Sequence, residues 1–115
     1  LKPIDKVKLQ EQLTNYFTDD VYVHLETTNG AYASHFNDKV MTVGAFIRNG
    51  KVQIKQGKIT GDRPYRVGLE MNDGWIYAEG LTDWEIDEEG RLLMAGHDFD
   101  GRLAIALQLS HTPFA

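Results

Sequence analysis

Three side chains near the start of the chain, His24, Glu26 and His35, are of types that can act together chemically. They flank Asn29-Gly30, a pair that asks for a two-residue hairpin turn because both residues tolerate φ > 0. Such a turn sets His24 opposite His35 and Glu26 opposite Ala33 on one face, with Val21, Val23, Leu25, Tyr32 and Phe36 on the other. Cross-strand neighbours have Cβ atoms roughly 4.5–5.5 Å apart, so two imidazoles and a carboxylate come within reach of one divalent metal. The donor set suits zinc, or iron as a facial triad with open positions. Ala31 and Ala33 leave room above the sheet, as a pocket floor would. The same residues also read as a solvated strand face with one His–Glu hydrogen bond, because their spacing matches no established metal motif.

A second polar cluster, His97-Asp98-Phe99-Asp100-Gly101, supplies His97 or Asp98 as an added ligand if the sheet curls. Its two aspartates suit a hard cation, yet the downstream glutamate of an EF-hand loop is missing and Asp-Gly is what a tight turn asks for. Gly61-Asp62-Arg63-Pro64-Tyr65-Arg66 brings two arginines and a tyrosine into and just after a turn. Arginine forks bind carboxylate or phosphate, so Arg63, Tyr65 and Arg66 form a candidate anion site, and Trp75 could stack on a ligand. No nucleophile elbow, phosphate loop, dinucleotide fingerprint or His-Glu-x-x-His motif occurs, and no serine sits in a triad context. The assignment therefore leans away from an enzyme.

The elements that position these residues are mostly strands. Residues from about 3 to 17 read as one helix, with Leu9, Leu13, Tyr16 and Phe17 on a stripe, Pro3 in the first turn and Asp5 at the positive end of the dipole. Beyond Thr18-Asp19-Asp20 no second helical period follows. Turn pairs at Asn29-Gly30, Asn49-Gly50, Asp73-Gly74, Glu89-Gly90 and Asp100-Gly101 separate β-branched and aromatic runs. They predict about eight strands: 20–28, 31–36, 40–48, 51–59, 65–71, 75–86, 91–97 and 102–110. Around Asn49-Gly50, Ile47 would meet Val52; around Asp73-Gly74, Leu69 would face Ala78. The last strand carries leucine and isoleucine on one face and alanine on the other, so it reads as central. The expectation is a mostly β single domain over residues 1–115, an antiparallel meander forming a barrel or sandwich, with one N-terminal helix.

The 115 residues suffice for one core, and a formal charge of -5 with five arginines and seven lysines scattered along the chain disfavours nucleic acid and anionic membranes as partners. The absence of cysteine removes disulfides, thiolate metal sites and thiol nucleophiles. With no apolar leader or span, a cytoplasmic protein is the simplest expectation.

Four stretches together carry a resemblance: His24-Leu-Glu-Thr-Thr-Asn-Gly-Ala-Tyr-Ala-Ser-His-Phe36, Gly57-Lys-Ile-Thr-Gly61 with Pro64-Tyr-Arg-Val-Gly-Leu69, Gly74-Trp-Ile-Tyr-Ala-Glu-Gly-Leu-Thr82, and Leu93-Met-Ala-Gly-His-Asp98. They resemble the YojF-like family of small uncharacterised proteins from low-GC Gram-positive bacteria, over almost the whole chain. The resemblance implies a cytoplasmic, mostly β protein. It also implies an accessory role near bacillithiol, because members are often encoded beside a deacetylase of that pathway. It supplies no catalytic residues.

Three function classes follow. The first is a non-catalytic module that binds a small ligand or a partner enzyme, expected as a homodimer through exposed sheet edges. The second is a metal-binding protein or metal-dependent enzyme using His24, Glu26 and His35, with zinc or iron and with His97 or Asp98 added. The third is a purely structural or interaction protein.

Overall fold

The computed structural model describes residues 1–28 and 44–115. The expected Asn29-Gly30 hairpin, the strand 31–36, the start of the strand 40–48, and His35 lie outside the described residues. Among the described residues the protein is one short helix and nine strands in two antiparallel sheets, sandwich-like and not a closed barrel.

The chain opens with β1 (Lys2–Pro3), which pairs with β7 (Asp83–Ile86) and not with the helix. Asp5, expected at the positive end of the helix, is its N-cap, and Pro3 lies ahead of the first turn: the Asp5 carboxylate accepts from the Lys8 amide at 3.1 Å, and α1 runs Lys6–Leu13 before a 3-10 turn at Thr14–Tyr16. The helix is shorter than the predicted 3–17 because the backbone of Lys2 and Pro3 is taken up by the ladder to β7. Leu9, Leu13 and Tyr16, on the expected stripe, are buried.

The larger sheet runs β1-β7-β8-β9-β2-β3, with β2 Asp20–Thr28, β3 Gly44–Gln53, β8 Leu92–His97 and β9 Leu103–Ser110. β9 lies between β8 and β2, the central place its two apolar faces predict. The smaller sheet is β4 (Gln56–Thr60), β5 (Tyr65–Met71) and β6 (Gly74–Leu81). Val67 and Leu69 of β5, Ile59 of β4 and Ala78 of β6 join Val21, Val23, Leu92, Met94, Leu107 and Leu109 of the larger sheet and Leu9 and Leu13 of α1 in one core.

Three expectations are corrected. Asn49-Gly50 is not a hairpin turn: β3 passes straight through it, paired along β2. The register jumps between Val23↔Gly50 and Leu25↔Ile47, so Arg48 and Asn49 together face His24, with Asn49 at φ 57°. The positive φ that the pair favours makes a β-bulge here, because the partner strand is β2 and not the next run of sequence. Second, the β5–β6 hairpin turns on Asn72-Asp73, so Leu69 meets Ile76 and Met71 meets Gly74. That is a two-residue slip from the expected register, which leaves every side chain on its predicted face. Third, the expected strand 75–86 is two strands in different sheets. The chain leaves the small sheet through a bulge at Gly80 (φ 86°) and enters the large one after Thr82. At this corner the backbone of Gly96 on β8 abuts the Gly80 carbonyl, an approach only a residue without Cβ permits.

Candidate functional site

His24 is buried, 6% exposed, on the outer face of the larger sheet. Arg48 Nη1 lies 3.2 Å from its Nδ1. A guanidinium only donates, so Nδ1 accepts and Nε2 carries the proton given to Glu26 Oε2 at 3.3 Å. Phe46 meets the ring edge-on at 5.1 Å, and Phe114 packs at 6.2 Å. Phe114 is itself held under Arg48 and by two hydrogen bonds between its backbone and the Asn49 side chain. Both nitrogens of His24 are thus engaged, and a metal at this imidazole would have to displace Glu26 or stand beside the Arg48 charge.

His97 lies on the same outer face but belongs to another cluster. Its Nδ1 is 3.0 Å from Asp83 Oδ2, which also accepts from Thr82 Oγ1 at 2.8 Å, while Arg63 Nη1 donates to the Thr82 carbonyl at 2.6 Å. Burial alone would raise the Asp83 pKa. The hydrogen bonds from Thr82 and His97 and the nearby Arg63 charge outweigh it and hold the carboxyl below its ordinary value. Glu26 and Asp83 end a cross-strand row running Glu26, Ala106, Ala95, Asp83. Three strand spacings put them about 14 Å apart. The structure therefore does not bring His97 to His24. Asp98 also stays apart: its carboxylate closes the β8–β9 turn by accepting from the amides of Asp100 and Arg102, each at 2.9 Å. Among the described residues no three His, Cys, Asp or Glu side chains gather as metal ligands.

The proposed anion residues also divide. Arg63 braces the corner at Thr82, and Tyr65 starts β5, packed against the core. Arg66 and Trp75 do come together, in a groove of about 830 Å³ between α1 and the outer face of the small sheet. Lys6, Val7, Gln10 and Glu11 line it from the helix, and Lys58, Arg66, Gly68, Trp75 and Tyr77 from the sheet. Strand alternation explains the sheet side: Val67, Leu69 and Ala78 point into the core, which leaves Arg66, Gly68, Trp75 and Tyr77 outward. Trp75 and Tyr77 stack with centroids 5.5 Å apart and planes within 4°, and each remains 48% exposed. Arg66 lies over the Tyr77 ring at 4.1 Å and pairs with Glu79 at 3.2 Å. A Cβ on Gly68 would come within 3.0 Å of Tyr77, so this glycine is what lets the ring lie against the sheet.

Gln10 fixes the helix wall. Its amide donates to the Gly57 carbonyl at 3.0 Å and accepts from the Ile59 amide at 2.9 Å, filling the place of a further strand at the β4 edge. Sequence reasoning found Arg66 and Trp75 but missed Gln10, Lys58, Gly68 and Tyr77. The outward face of Gly68 and Tyr77 was readable from strand alternation, whereas the approach of α1 to β4 had no local signal.

A family model described as "Protein of unknown function (DUF1806)" matches residues 3–114. The chain belongs to this family. A relative from Bacillus subtilis strain 168, "Uncharacterized protein YojF", is 57% identical over 114 residues, covering 99% of this chain and 98% of its own. The crystal structure of the Bacillus subtilis YojF protein matches with a TM-score of 0.84 at 52% identity over 99% of this chain and 96% of that one. This chain and the Bacillus subtilis protein thus share one mostly β fold, and the resemblance read from the four sequence stretches is to the same family. None of these descriptions carries an activity. No helix among the described residues is long and apolar enough to cross a membrane.

Proposed function

We propose that the protein is a non-catalytic module that binds a small ligand in the groove between α1 and the outer face of β4, β5 and β6. The observation that carries this reading is the stacked, half-exposed Trp75–Tyr77 pair in a cleft of about 830 Å³. That volume is within the range of ligand sites, roughly 300–1,000 Å³. Large aromatic faces left open to water lose the hydrophobic gain of burial, and a ligand restores it. By family resemblance, the module acts beside a deacetylase of the bacillithiol pathway, and it works as a homodimer in the cytoplasm. The test is a thermal-shift screen of bacillithiol-pathway metabolites and a general small-molecule panel, followed by nuclear magnetic resonance of the Trp75 indole N–H. A bound ligand raises the melting midpoint by mass action and moves that signal. Stabilisation that survives in Trp75→Ala, or no compound that perturbs the indole, refutes the groove as the site. Sedimentation equilibrium checks the dimer.

The metal reading keeps one observation in its favour, the 3.3 Å approach of Glu26 to His24. Metal analysis of untagged protein decides it: stoichiometric zinc or iron that disappears in a His24→Ala, His35→Ala double variant would establish a metal protein. Arg48 at the His24 Nδ1 makes that outcome unfavourable.

A further inference from the structure

The groove also carries information about what kind of molecule fills it. Three of its lining side chains are cationic, Lys6, Lys58 and Arg66, against one acid, Glu11. Glu79, paired with Arg66, and Glu70, bonded to Gln56, stand at its margin, so the groove is balanced in charge within a chain whose formal net charge is -5. The three cations differ in how far they are already satisfied. Lys6 donates to the Gly61 carbonyl at 2.8 Å, and Arg66 is paired with Glu79 and lies over Tyr77. Lys58 makes no ion pair among the described residues.

Lys58, Gly68 and Tyr77 form one cross-strand row, since Lys58 pairs with Gly68 and Gly68 with Tyr77. Two strand spacings separate the ammonium-bearing strand from the aromatic one, about 10 Å between backbones. Gly68, in the middle, contributes no side chain, and the Tyr77 ring lies over it, which carries the aromatic surface from β6 toward β4, while Glu70 stands beside this row opposite Trp75. The flexible four-carbon stem of lysine shortens that gap further. An aromatic surface and a cation with no ion pair among the described residues are thereby set side by side, the ring covering the glycine between them.

We infer that the groove takes a small anion built on a planar aromatic ring, with the ring stacked on Trp75, whose other face rests on Tyr77, and its phosphate or carboxylate held by Lys58. Stacking on exposed aromatic side chains is tolerant of ring identity, whereas the anion fixes orientation. The inference rests on the groove being the ligand site and deepens that reading by naming the chemical class.

Titration calorimetry of the full chain tests it with five probes: adenosine monophosphate, indole-3-carboxylate, adenosine, ribose 5-phosphate and inorganic phosphate. The expected result is binding of adenosine monophosphate or indole-3-carboxylate, with the three partial probes at least about tenfold weaker, as loss of a stacked ring or a charged contact predicts. Which aromatic probe binds more tightly reports whether the anion is phosphate or carboxylate. Trp75→Ala and Lys58→Ala, both at the surface, should each weaken the better probe about five- to tenfold or more, and Lys58→Arg should restore most of it. Ribose 5-phosphate binding as well as adenosine monophosphate overturns the ring. Adenosine binding equally well overturns the anion, and binding by none of the five overturns the class. In all three cases the groove itself is judged separately by the Trp75 indole signal in the panel screen.

Discussion

Asn49 offers the sharpest test of how this sequence makes its sheet. It does two things at once. Its backbone sits at φ 57°, which lets β3 bulge opposite His24. Its side-chain amide donates to the Phe114 carbonyl at 3.0 Å and accepts from the Phe114 amide at 2.7 Å, which ties the C-terminal segment to the sheet edge. Two substitutions separate these roles. Asn49→Gly keeps the left-handed backbone at no steric cost and deletes both hydrogen bonds. At a net 0.5–1.5 kcal/mol each, that is a loss of about 1–3 kcal/mol. Asn49→Ala deletes the same bonds and also places a Cβ without a compensating polar group at positive φ, which adds about 1–2 kcal/mol. The expected order is therefore wild type, then Asn49→Gly, then Asn49→Ala, with a total of about 2–5 kcal/mol for the last. Urea denaturation measures this directly, provided the slope m is unchanged, so that a shift in midpoint is a shift in stability. Asn49→Gly within about 0.5 kcal/mol of wild type would refute the role of the Phe114 contacts, because surface changes without a partner fall in that range. Equal stability of the two variants would refute the bulge conformation.

Gly96→Ala should be among the most destabilising single changes in the chain: the new Cβ collides with the Gly80 carbonyl and comes within 2.7 Å of Ile105 Cγ2. Overpacking against backbone costs about 1–3 kcal/mol or more, and a midpoint unchanged in thermal unfolding would show that the two sheets do not meet there. Asp83 predicts an acid limb in the stability profile. Its folded pKa lies below the ordinary 3.8, so its contribution is present above that value and is lost as pH falls through the folded pKa. Asp83→Asn should flatten that limb in urea unfolding followed from neutral to acid pH; an identical acid slope in the variant would remove the group from the account. Gln10→Ala should destabilise by about 1–3 kcal/mol through loss of both bonds to the β4 edge, and Gln10→Glu should not rescue it, since a carboxylate cannot donate to the Gly57 carbonyl. Full stability of Gln10→Glu in denaturant would show that the amide does not bridge Gly57 and Ile59.

What could be read in advance followed from periods and what could not followed from partners. The β5–β6 register was expected two residues away from where it lies, yet Val67, Leu69, Ile76 and Ala78 still face one way and Tyr77 and Glu70 the other, because a strand repeats every two residues. Face assignments are thus robust to the commonest error in placing a turn, and the aromatic platform sits on a face the sequence exposes. Asn49-Gly50 shows the opposite case. The pair specifies positive φ, but positive φ serves a hairpin and a bulge equally, and only the long-range pairing of β3 with β2 chooses between them. His24 shows it again for chemistry: its type and its neighbour Glu26 suggested a ligand, while Arg48 and Phe114, brought in by that bulge and by the C-terminal segment, engage it as a packed, hydrogen-bonded group. The groove depends on the same kind of information. Trp75 and Arg66 were legible as residue types able to stack and to meet an anion, but the wall that makes them a cleft is α1, set there by Leu9 and Leu13 in the core and joined to the β4 backbone by one glutamine amide across a separation of 47 and 49 positions. A site assembled by such a contact has no signature in local sequence. Its chemistry can be read from the residues, and its existence only from the packing that gathers them.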